Sequence, residues 1–164
     1  HGCNHVMVVG DVSGSIGEAE HRAILASLVE MAGDLNPKTI SVAWCCTQIH
    51  RIDMFEGTPG ADMLDEFYAR NPIPRGGGTS FIPPFTMMES VGQGGAAGIP
   101  ASSSQDTISA LVAAGTPDGL IYVTDLDGPF PAEAPGYPVL WVSVDQRGRH
   151  PWGERVDINP QELL

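Results

Sequence analysis

Lysine is almost missing from this chain. Lys38 is its only one, and the 164 residues carry eight Lys and Arg against twenty Asp and Glu, a formal net charge of −12. Nucleic-acid binding rests on basic side chains that neutralise phosphates, so this balance excludes nucleic acid as a partner. An acidic surface suits cations and basic protein patches instead. A phosphate-binding P-loop is poorly supported as well, because its Gly-rich turn needs a lysine before the Ser/Thr. The Gly-rich "RGGGTSF" of residues 75–81 has none. No apolar run approaches the ~20 residues of a membrane-spanning helix, so no membrane association is expected. Cysteine is scarce too, and two of the three, Cys45 and Cys46, are adjacent. That is the usage of a reducing compartment rather than a disulfide framework, and a cytoplasmic location is the expectation. The chain begins at His1, so the lack of a targeting signal carries no weight.

What is present fits one domain, residues 1–164, with a single buried core. Residues 6–10 are an unbroken apolar run, as in a strand buried on both faces. Residues 18–31 follow with Ile24, Leu25, Leu28, Val29 and Met31 at helical spacing and acids Glu18 and Glu20 in the first turn, where the helix dipole favours them. "ISVAWCC" (40–46) predicts a second buried strand, and the more polar 49–55, after a short gap, an antiparallel edge strand. Short helices are expected over 61–70 and 84–91, and over 107–114 with Asp106 as N-cap. Between the last two, 92–105 reads as a flexible Gly/Ala/Ser-rich insertion. "GLIYVTD", "PVLWVSV" and "ERVDI" complete the strands. Strands alternating with helices predict an α/β fold, doubly wound in the Rossmann manner, with a mostly parallel sheet and helices on both faces. Ligands of such folds sit beyond the carboxyl ends of the strands, where strand order reverses.

Two strands end in carboxylates at that edge, Asp11 and Asp125. "VMVVGDVSGSIG" (6–17) adds Ser13 and Ser15 at alternate positions, and "RGGGTSF" ends its glycines with Thr79. Singly, these are ordinary turn residues; together they offer hard oxygen ligands of the kind that suit Mg²⁺ or Ca²⁺. Rival chemistries are poorly supplied. "DLDGPF" (125–130) resembles the paired-Asp nucleophile motif of haloacid-dehalogenase-type phosphatases, with Asp125 and Asp127 as the pair. However, Pro129 replaces the usual Thr or Val, and no lysine follows. A serine hydrolase lacks its Gly-x-Ser-x-Gly elbow. "HGCNH" brings His1, Cys3 and His5 close in sequence without a fourth zinc ligand, and reads as a terminus leading into a strand.

Asp11-Val-Ser13-Gly-Ser15, Thr79 and Asp125, in that order, resemble the metal-ion-dependent adhesion site of von Willebrand factor A-type (VWA) domains. "GGGTSFIPPF", "IYVTDLDGPFPAEAPGYPVLWV" and "PWGERVDI" look like the VWA-like domain at the C-terminal end of predicted metal-dependent peptidases of bacteria and phages. The resemblance implies Ser13, Ser15 and Thr79 as direct hydroxyl ligands of Mg²⁺, with Mn²⁺ or Ca²⁺ as substitutes. It implies Asp11 and Asp125 as carboxylates acting through coordinated water, and an open position filled by an Asp or Glu of a protein partner. Asp127 stands where the nearest relatives tend to be uncharged; it is either an added acid behind the ligands or a solvated loop residue. Relatives are often encoded with AAA+ ATPases, which makes such an ATPase a partner to test. Peptidase activity would reside in a domain this chain lacks, because no His-Glu-x-x-His helix is present. A Mg²⁺-dependent phosphatase and a metal-free scaffold domain are the alternatives.

Overall fold

In the computed structural model of the chain, which describes residues 3–12, 17–74, 76–144, 148–159 and 162, the apolar runs pair into one six-stranded sheet. Its strands are β1 (His5–Asp11), β2 (Thr39–Cys45), β3 (Ile49–Glu56), β4 (Gly119–Thr124), β5 (Val139–Ser143) and β6 (Glu154–Asp157). Their spatial order is β3-β2-β1-β4-β5-β6. Every pairing is parallel except β2 with β3, so the polar 49–56 strand is the antiparallel edge expected of it. The helices are α1 (Glu18–Gly33), α2 (Ala61–Arg70), α3 (Ile82–Gly92) and α4 (Gln105–Ala114).

Strand side chains alternate between faces, and β1 divides its own between two cores. Val6 and Val8 pack with Ile24, Leu25 and Val29 of α1 and with Leu64 and Tyr68 of α2. Met7 and Val9 pack with Phe85 and Met88 of α3 and with Leu111 of α4. The sheet is therefore covered on both sides, and the reversal of strand order falls between β1 and β4. There the chain leaves β1 for β2 on one side and enters β4 from the other.

Two local expectations are corrected. The cap of α4 is Ser104, not Asp106: the Ser104 hydroxyl accepts the Thr107 N–H at 3.1 Å, and Asp106 sits in the first turn. Serine caps as well as aspartate does, and an acid inside the first turn still meets the positive end of the helix dipole. Helix α3 starts at Ile82 rather than at Pro84, because prolines in a first turn lack only N–H groups that have no intrahelical partner there. The stretch after α3 is a series of turns tied back to that helix. Ser90 accepts the Gly95 N–H at its carbonyl (2.9 Å) and the Ala97 N–H at its hydroxyl (3.0 Å).

Candidate functional site

Strand β1 ends at Asp11, which is only 3% exposed. Parallel pairing of β1 with β4 runs to Gly10 opposite Val123, which sets Asp11 and Thr124 side by side at the carboxyl ends of the two central strands. The fully buried Thr124 hydroxyl donates to Asp11 Oδ2 at 2.8 Å and accepts the Leu126 N–H at 3.0 Å. One hydroxyl thus orients the carboxylate and turns the chain leaving β4. Leu126 has a φ of 65°, a left-handed conformation uncommon outside glycine, and its burial and that hydrogen bond hold it there. Half-buried Asp125, just before it, accepts the Asp127 N–H on Oδ1 at 3.0 Å, which fixes its carboxylate in a local turn. Asp127 itself is exposed.

Thr79 reaches the same edge from the connection between α2 and α3. Hydrogen bonds flank it on its C-terminal side: Ser80 N–H to the Cys46 carbonyl (2.8 Å) at the end of β2, and Phe81 N–H to the Pro129 carbonyl (2.9 Å) after β4. Gly78 takes a φ of 74°, which a branched side chain would resist. Across the edge, a Cβ added to Gly128 would lie 3.0 Å from Thr79 Cγ2 and 3.1 Å from its carbonyl oxygen. The loop carrying Thr79 and the loop carrying Asp125 are therefore in close contact. Ser13 and Ser15 lie outside the described residues, as does His1.

Cys45 is the register partner of Asp11 on β2. Burial pushes its thiol up to about 12, against a smaller lowering by its hydrogen bond with Tyr122. Among the described residues, no group of three or more His, Cys, Asp or Glu could hold a metal ion. The strand ends and the adjoining loop carry carboxylate and hydroxyl side chains, the donor types that hard cations such as Mg²⁺ take. Among the described residues, nothing of the kind forms around Cys3 and His5. The His5 ring lies between the Gly115 carbonyl (2.9 Å) and the Ser41 hydroxyl (2.6 Å), and the Cys3 thiol points to Asp118 Oδ2 (3.6 Å).

Reading the sequence missed Thr124, Leu126 and Gly128. A threonine immediately before a strand-end aspartate was the available signal, since a buried hydroxyl must find polar partners. Among the described residues, no helix is long and apolar enough to cross a membrane. The family model described as VWA-like domain (DUF2201) matches residues 90–159, from the end of α3 through β6 and including Asp125 but not Asp11 or Thr79. No curated protein matches the chain. The family match and the six-stranded, mostly parallel sheet with its one antiparallel edge together support a VWA-like domain.

Proposed function

We propose that this chain is a protein-interaction module that binds a divalent cation at the carboxyl edge of its sheet and docks a carboxylate of a partner protein there. The observation that carries this reading is the orientation of buried Asp11 by Thr124 at the reversal of strand order, with the Thr79 loop packed against the loop after β4. Ser13, Ser15 and Thr79 would be the hydroxyl ligands, and Asp11 and Asp125 the carboxylates behind them. Neutral ligands leave Mg²⁺, or Mn²⁺ or Ca²⁺ in its place, strongly electrophilic toward an anionic oxygen of the partner. The Thr124 bond keeps Asp11 from rotating, and the Asp127 N–H does the same for Asp125. Against a phosphatase using Asp125 and Asp127 stand Pro129 in place of the usual Thr or Val and the lack of any lysine after Asp127. VWA-like domains typically serve as interaction modules rather than enzymes, and an AAA+ ATPase is the first partner to try.

The test is capture of partners from the native host with Mg²⁺ or with EDTA, using wild type, Ser13→Ala, Thr79→Ala and Asp127→Asn, beside turnover of an aryl phosphate. Capture should need Mg²⁺, fail in Ser13→Ala and Thr79→Ala, and survive in Asp127→Asn. Mg²⁺-dependent phosphate release lost in Asp127→Asn would overturn the reading.

A further inference from the structure

Parallel neighbours such as β4 and β5 are usually joined by a crossover helix laid over the sheet. Here residues 125–138, all of them described, form no helix. Aromatic side chains cover the sheet instead. Trp141 of β5 stacks on Tyr122 at 5.1 Å, Phe81 stacks on Phe130 at 4.6 Å, and Trp152 leans on Trp141 at 5.6 Å. Beside this cluster an open groove of about 910 Å³ runs between α3 and the proline-rich 131–138 stretch.

The groove has a mixed apolar and polar lining and an acidic rim. Phe85 and Met88 form part of its lining, and Ile82, 41% exposed, stands at its mouth. Ile82 and Glu89 are seven positions apart on α3 and so share one helix face. Its charged lining is Glu89, Glu133 and Asp118; among the described residues, no Lys, Arg or His lines it. Hydrogen bonds from the His5 and Asn4 N–H groups hold Asp118 below the usual carboxylate range, so its charge persists into mild acid. Prolines at 131, 135 and 138 stiffen the wall facing α3, which limits the ordering cost of binding.

We propose that this groove docks a basic segment of a partner protein, one that carries a Lys or Arg beside an aliphatic or aromatic anchor. The anchor packs on Ile82 and the exposed edge of Phe85, and the cation meets Glu89 and Glu133. Charge complementarity selects this occupant: an acidic partner would bring its carboxylates against three others. The contact needs no metal, although one end of the groove, at Ile82 and Pro131, lies near the loops that carry Thr79 and Asp125. Asp118 precedes β4 whereas Asp125 follows it, roughly 20 Å away at the rise of an extended strand.

The probe is a short, fluorescent amphipathic peptide of Leu and Lys, compared with its Leu/Glu counterpart. Fluorescence anisotropy measures affinity, and backbone amide resonances locate the contact. The Leu/Lys peptide should shift resonances in 82–89 and 131–138 and bind equally well in EDTA. Its affinity should fall about tenfold in Glu89→Gln/Glu133→Gln. It should hold in Glu30→Gln/Asp62→Asn, which removes the same charge from exposed positions on the helices of the other face. Equal weakening in both double variants would reduce the binding to diffuse attraction by an acidic surface and overturn the proposal. So would equal binding of the Leu/Glu peptide, loss of binding in EDTA, or resonance shifts outside the groove.

Discussion

Thr124 is the residue on which the candidate site turns, because its single hydroxyl serves both the Asp11 carboxylate and the Leu126 N–H. Valine has nearly the same shape and offers neither bond. Thr124→Val should therefore cost about 1–3 kcal/mol, the usual penalty for depriving buried polar groups of a partner. Thr124→Ser should restore most of it, and urea denaturation of the three proteins measures both. A valine variant as stable as wild type would show that the hydroxyl does not hold the edge together. The carboxylates were legible in the sequence because Asp11 and Asp125 interrupt apolar runs at strand ends. Thr124 was not, because a threonine inside a strand is also an ordinary β-former.

At the scale of elements, the amino end of β1 is held from two directions, by the Gly115 carbonyl at the end of α4 and by Ser41 of β2, both on the His5 ring. Burial lowers the His5 pKa, against smaller opposing effects of the Gly115 hydrogen bond and the Asp118 charge. A histidine lowered in the native state binds fewer protons there than when unfolded. Its contribution is then full above the unfolded value of about 6.5 and is lost as pH falls through that value toward the native one. The urea midpoint of wild type should drop between pH 8 and pH 5, more steeply than that of His5→Gln; parallel curves would contradict the assignment. Elements with a clear period or clear boundaries were readable, as with the helix over 61–70 and the polar edge strand. The cap of α4 was misread because "SSSQD" offers several competent caps in a row, and only backbone geometry selects Ser104.

For the whole molecule, the order β3-β2-β1-β4-β5-β6 brings the end of β1 beside the end of β4, residues more than a hundred positions apart in the chain. That convergence was foreseeable, since alternating strands and helices admit few topologies. The groove beside α3 was not, because a missing crossover helix has no local signature beyond its prolines. We propose that the edge carrying Asp11, Thr79 and Asp125, with Ser13 and Ser15, binds a divalent cation. A ligand of the native state alone raises stability by mass action, about 2.7 kcal/mol at a concentration of a hundred times its Kd. The direct measurement is thermal unfolding across a Mg²⁺ titration in wild type, Asp11→Asn and Thr79→Ala. The melting temperature should climb with Mg²⁺ in wild type and stay flat in both variants. Equal responses in all three proteins, or none in wild type, would contradict it.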